Sequence, residues 1–365
     1  MKPHLLAALF AVVLVLPAAA PALDSSAGRI DVQAVVSGLD EPWGLGFLPG
    51  GGMVVTERAG RLLHLSADGQ VTPVSGVPAV YDEGQGGLLD VMVPRNFATS
   101  REVFVSFSQP GGRGGATALA VGRLSQDGSA LENPRVIFAM DAGRGGRHFG
   151  SRIVEAPTGH IFLTIGDRGD DDTAQDLGNH NGTVIRLNRD GSVPADNPFV
   201  GQAGARPEIW SYGHRNAQAA ALDATGQLWV VEHGARGGDE VNRVSRGANY
   251  GWPVISYGRE YSGARIGEGT AKPGMEQPAF YWDPSIAPSG MVFYSGKLWP
   301  EWRGDLFVGS LKFGLISRLD GTGMTEQERL QSDETARVRD IREGPDGALW
   351  FLSVGQGTLY RMTPG

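Results

Sequence analysis

The 365-residue chain contains no cysteine. That absence excludes a disulfide framework, a thiolate metal centre and cysteine-linked haem, so stability must come from the core and from any bound metal. Positive charge is also scarce. Against 40 Asp and Glu stand 32 Lys and Arg, a formal net charge of −8. Polyanions need a basic field, so the composition argues against nucleic acid as a partner. The one long apolar run, Leu5–Leu16, is too short for an ordinary membrane-spanning helix. Lys2 and His4 precede it and small residues at Ala18–Ala20 and Ala22 follow it, so residues 1–22 read as a cleavable export signal. Residues 23–365 are then expected to be a single periplasmic or secreted domain without a membrane span. Helical periodicity is missing too.

What is present is a large number of short β-rich runs, punctuated by 55 Gly and 22 Pro. Six of them share an aliphatic–X–Arg/His–aliphatic ending. They are Leu62–Leu65, Ala120–Leu124, Val184–Leu187, Glu240–Val244, Ile316–Leu319 and Leu359–Met362, at spacings of roughly 43 to 75 residues. Each follows a strongly apolar strand, such as Met53–Thr56 or Ile161–Ile165. A sandwich would not repeat at this period and a β-helix repeat would be shorter. Units of several short strands at this spacing predict an all-β, six-bladed β-propeller.

Four hairpins place their unusual polar residues at the open end. If Ala156–Gly159 is a symmetric four-residue turn, His148 lies opposite Asp167. A carboxylate facing a histidine orients the imidazole and keeps it basic for proton abstraction. The same counting around Asp223–Gly226 puts Asn216 opposite His233 and Arg215 opposite Gly234. Around Gly344–Gly347, Arg337 and Arg339 share one strand face, and Trp43 and Arg58 flank Pro49–Gly52. Propeller blades stack with one polarity, so these ends would converge at one mouth of the central channel. Arg215, Lys312, Arg337 and Arg339, with Asn216 and Gln85, would then form a cationic pocket suited to a ligand with several carboxylates or phosphates. The alternative for each arginine is a salt bridge to Asp340, Asp167 or Asp239. The Gly-rich run Val231–Glu240 offers backbone carbonyls as hard ligands for Ca²⁺, although the same glycines would serve an ordinary tight turn.

Eight motifs occur in order: Gly84–Asp90, His148–Arg152, Thr164–Asp167, Gly213–Asn216, Asn249–Pro253, Pro284–Ser289, Ser310–Lys312 and Arg337–Asp340. From about Gly38 to Arg361 the chain resembles the soluble pyrroloquinoline quinone (PQQ)-dependent sugar dehydrogenases, and within them the aldose sugar dehydrogenase branch. The resemblance implies a six-bladed periplasmic propeller that oxidises aldose sugars at C1 to lactones and passes electrons to an external acceptor. It implies His148 as general base, Asp167 as its orienting partner, and Arg215 beside them. Gln85, His148, Arg215, Asn216, Lys312, Arg337 and Arg339 would contact PQQ. The carbonyls of Gly234 and Ala235 would hold a catalytic Ca²⁺, and a second, structural Ca²⁺ would involve backbone after Trp252–Pro253 with Glu260 and Glu276. The chain departs from the soluble glucose dehydrogenases at Arg147, which replaces Asp, and at Ala235, which replaces Pro. Its shorter loops around 257–274 bear on sugar preference and subunit contacts.

Two other classes fit a propeller. A calcium-dependent lactonase would centre its metal on side-chain carboxylates and asparagines and would need no cluster of cations. A non-catalytic module binding peptide or glycan would not need the His148–Asp167 pair.

Overall fold

The computed structural model describes residues 22–112, 114–141 and 145–365. The predicted export signal lies outside the described residues except for Ala22, which begins the first strand, Ala22–Ser25. Among the described residues, 25 strands form six antiparallel sheets, and the single α-helix is one turn long, Phe97–Ser100. The innermost strands of blades one to six are Pro42–Phe47, Leu88–Met92, Ile153–Glu155, Ala217–Leu222, Pro288–Phe293 and Val338–Glu343. Five blades are built from consecutive strands. In the sixth, Gly28–Ser37 pairs with the C-terminal Thr358–Pro364, so the two ends of the chain close the ring together.

The six arginine- or histidine-bearing repeats all fall on the third strand of a blade, and the apolar strands preceding them fall on the second. Such strands are buried on both faces because each sheet packs against two neighbours; Met53–Glu57 and Ile161–Ile165 are buried throughout. The core is accordingly six layers, each between adjacent blades. Phe104 and Leu119 of blade two meet Ile161 and Leu163 of blade three, for example. Leu352 and Leu359 of blade six meet Val55 and Leu63 of blade one. Hydroxyls add stitches. Thr56, Ser106 and Thr164, on three second strands, donate to carbonyls of Leu89, Ser151 and Ala217 in the next blade.

The hairpins differ from the expected turns in one respect. Pairs 48/52, 156/160, 223/227 and 344/348 close them, each around three residues with a glycine at positive φ, such as Gly159 at 86°. This shifts the register by one residue near the turn: Val154 faces Phe162 and Ala220 faces Val230. Every inner strand then carries a β-bulge nearer the mouth, where two residues oppose one. In blades three, four and six the bulge cancels the turn's shift, and the mouth has the expected pairing. In blade one the shifts add, so Arg58 faces Glu41 and not Trp43.

Candidate active site

The bulges deliver the site. Their residues include Trp43, Leu89, Gln218 and Arg339, all of which line a cavity of about 540 Å³ at the channel mouth. Bulge residue Arg152 forms the cavity's support. It is fully buried and pairs with Asp90 at 3.0 Å and Asp340 at 3.1 Å, while Arg342 pairs with the same two carboxylates. Arg152 also donates to the carbonyls of Gln218 and Arg339 and lies 4.2 Å over the Trp43 ring. Blades one, two, three, four and six are thus tied across the channel beneath the cavity.

His148 Nδ1 lies 2.6 Å from Asp167 Oδ1, and both residues are buried. Asp167 is held from three sides. Oδ1 accepts from the Gly169 N–H and Oδ2 from Trp252 Nε1, while its own N–H donates to the Arg215 carbonyl. Gln85 Oε1 accepts the His148 N–H at 2.7 Å. Asn216 Oδ1 accepts from Gly150. The chain can approach this closely because residue 166 is glycine: a Cβ there would come within 2.2 Å of the His148 carbonyl oxygen. His148 itself has φ 55°, a left-handed conformation that costs a non-glycine residue ~1–3 kcal/mol and is kept only where surroundings enforce it. Burial pushes the imidazole below 6.5; Asp167 works against that shift, and Arg215 and Arg147 add to it. Burial alone would raise Asp167, but the hydrogen bond and charge of His148 hold it below the usual carboxylate range.

The expected salt bridges of the cations do not form among the described residues. Arg339 bonds to Gln218 Oε1 and Arg337 to the Leu311 carbonyl, while Lys312 lies near the Phe313 ring. Arg337, Arg339, Lys312, Gln85 and Asn216 all line the cavity. Arg339 is pushed down to about 9 by burial, and Arg152 and Arg337 add to the shift by repulsion. Arg215 donates to the Gly234 carbonyl at 2.8 Å and stacks 5.2 Å from Trp252. Its buried Nε has no partner. His148 and Arg215 are not among the residues lining this cavity: His148 sits just behind Phe149 and Gly150, and Arg215 lines the neighbouring cleft. The unpaired cations of the cavity itself call for a polyanionic acceptor.

The metal residues are placed differently. Gly234 is beside the site, with its N–H on Asp239 and its carbonyl on Arg215, and Ala235 packs with Trp252. Glu260 lies within electrostatic reach of Asp171, and Glu276 within reach of Tyr250. Among the described residues no three His, Asp or Glu side chains come together as a metal cluster. Sequence reasoning missed the carboxylates behind the Gly234 loop. Glu240 is pushed up to about 8 by burial and by Glu232, and both line a cleft with Gly234 and Tyr250. Part of the signal was there: Glu232 ends the otherwise apolar strand Leu228–Glu232. Sequence reasoning uses Trp252 only within a motif and to mark the second calcium site, since nothing local shows that its indole reaches Asp167.

Comparisons with known proteins agree with this geometry. Residues 39–361 match the family model described as glucose/sorbosone dehydrogenase. The chain is 43% identical to aldose sugar dehydrogenase YliI of Escherichia coli, over 94% of this chain and 95% of that protein. The crystal structure of the soluble Escherichia coli aldose sugar dehydrogenase in its apo form superposes with TM-score 0.89 at 42% identity, covering 92% of this chain and 100% of that one. The PQQ-bound form of the Streptomyces coelicolor aldose sugar dehydrogenase superposes with TM-score 0.76 at 26% identity, covering 92% and 98%.

Proposed function

The chain belongs to the glucose/sorbosone dehydrogenase family, and from that premise we propose that it is a PQQ- and calcium-dependent aldose sugar dehydrogenase with His148 as general base. The observation that carries this reading is the adjacency of a carboxylate-held histidine to a cavity whose cations lack carboxylate partners. PQQ fits that donor set: its three carboxylates match Lys312, Arg337 and Arg339, and Arg215, in the neighbouring cleft, keeps a buried N–H without a partner. A lactonase would leave the cations without a purpose, and a binding module would not need the His148–Asp167 pair.

Bound PQQ would supply a quinone that takes two electrons as hydride from the sugar C1. The chain's own part is positioning and proton transfer. With Nδ1–H donated to Asp167, the Nε2 lone pair of His148 is left to accept the O1 proton of the sugar. Loss of that proton and of the C1 hydride yields the lactone. The imidazolium so formed is stabilised by Asp167, whose other oxygen Trp252 fixes. Because the base acts neutral and burial lowers its pKa, kcat/KM should fall only as pH drops through a value below 6.5. A pH–rate profile with its acid limb above that would point to another base.

Calcium fits the oxygen-rich chemistry of the loop. The Gly234 carbonyl has a second lone pair, and the Asp239 and Glu240 carboxylates stand nearby, all hard ligands. There a cation would act as a clamp and as a Lewis acid. A chelator should therefore lower the melting temperature and abolish activity, and activity should return only with PQQ and Ca²⁺ together. Dye-linked oxidation of glucose by cofactor-free protein, measured with each addition alone and with both, tests the whole reading. Activity with PQQ alone after exhaustive chelation would remove the metal from the mechanism. No activity under any addition would remove the enzyme reading. The N-terminal signal would place this chemistry in the periplasm. Among the described residues no helix is long and apolar enough to cross a membrane.

A further inference from the structure

Neither partner of the His148–Asp167 pair lies in a strand. The inner strand of blade three starts at Ile153, and the strand before Asp167 ends at Ile165. Backbone ladders therefore do not fix their separation, and other groups must.

Arg168, the residue after Asp167, is buried at 4% exposure and pairs with no carboxylate among the described residues. Its guanidinium carbon lies 3.5 Å from the centre of the Phe149 ring. Nη1 donates to the carbonyl of Arg147, and Nη2 to that of Gly115 at 2.9 Å. Arg168 thus grips both neighbours of His148, one through its carbonyl and the other through its ring. Its backbone, at φ 62°, is left-handed like that of His148. The lacing runs both ways, because a Cβ at Gly169 would come within 2.2 Å of Arg147 Nε. A cation withdrawn from water without a direct salt bridge is costly, and burial pushes this one down to about 10 although the Asp167 charge opposes the shift. Only a flat, multiply donating group can stack on a ring and bond two carbonyls at once; lysine cannot.

We propose that Arg168 is a positioning residue that sets the distance and direction of the His148–Asp167 hydrogen bond. The inference rests on the reading of His148 as the base. It predicts that Arg168→Lys folds and binds PQQ near normally, with sugar KM little changed, but loses about 10- to 100-fold in kcat through misplacement of the base. In the cofactor-free variant, NMR titration of His148 should move further down in pH, since burial persists while the support of Asp167 weakens. Arg168→Met should show both effects more strongly. Unchanged kcat in both variants would overturn the proposal. So would a loss of kcat with an unmoved His148 titration, which a merely structural loosening would give. Failure of both variants to fold would overturn it as well, by making the arginine a fold element. His148→Ala measured alongside separates the two readings: if it turns over normally the base assignment fails, and if it is inactive while Arg168→Lys is normal only this inference fails.

Discussion

His148→Ala is expected to lower kcat by about 10²–10⁴ while the propeller still folds and binds its cofactor. The loss should be large because no other described group in the site can replace the imidazole. Its neighbour Asp167 stays held in the variant, with Gly169 donating to one oxygen and Trp252 to the other. The nearest cation, Arg215, cannot accept a proton. The fold should survive because His148 belongs to the mouth and to none of the six interblade layers. Removing the side chain also leaves the Gln85 contact, which is made by the backbone N–H. Steady-state turnover at saturating PQQ and sugar, with a melting curve as control, measures the effect. Turnover near the unmodified level would remove His148 from the mechanism.

Arg339→Ala should show opposite effects in the two forms of the protein. In the loaded protein it loses charge-assisted bonds worth about 1.5–3 kcal/mol, so PQQ affinity should fall about 10- to 150-fold. Without cofactor, the same change relieves a cation crowded by Arg152 and Arg337, so the melting temperature should hold or rise. Arg337→Ala should weaken PQQ less, because its side chain is exposed and water already satisfies much of it. Equilibrium titration with PQQ, and melting with and without it, separates these outcomes. Unchanged PQQ affinity in Arg339→Ala would mean that the arginine only braces Gln218.

The propeller was legible because its signal is repeated. A strand buried on both faces is largely apolar, and its neighbour carries an arginine or histidine once per blade. Six copies of that contrast survive any single misreading. The His148–Asp167 contact was legible for a weaker reason, since two opposite one-residue shifts cancel in that hairpin. The three-residue turn could have been read from Gly159. The bulge could not, because no residue at Ser151 or Arg152 announces it. Blade one shows the cost, with Glu41 where Trp43 was expected. The Arg152–Asp90–Asp340 network joins residues 62 apart and more, and it follows from ring closure and not from any local pattern. The Gly234 loop reads as a candidate calcium loop through its glycines. The Glu232 and Glu240 carboxylates escape that reading because it treats the whole run Val231–Glu240 as a loop offering backbone carbonyls, whereas the two acids sit on paired strands, facing each other across the ladder.

The six bulges have a consequence for how this architecture can change. Each inner strand runs in two phases. Its turn-side half is in step with the sheet and answers to the interblade core, whereas its mouth-side half runs one residue out of step and answers to the channel. Changes in one half need not propagate into the other, because the bulge absorbs the difference in frame. That leaves the wall of the cavity free to vary in residue identity, blade by blade, around an unaltered packing scheme. It also makes the frame itself the vulnerable element: a single residue lost at Ser151 would return the strand to step, turn His148 away from Asp167, and leave a sound blade with no chemistry at its end.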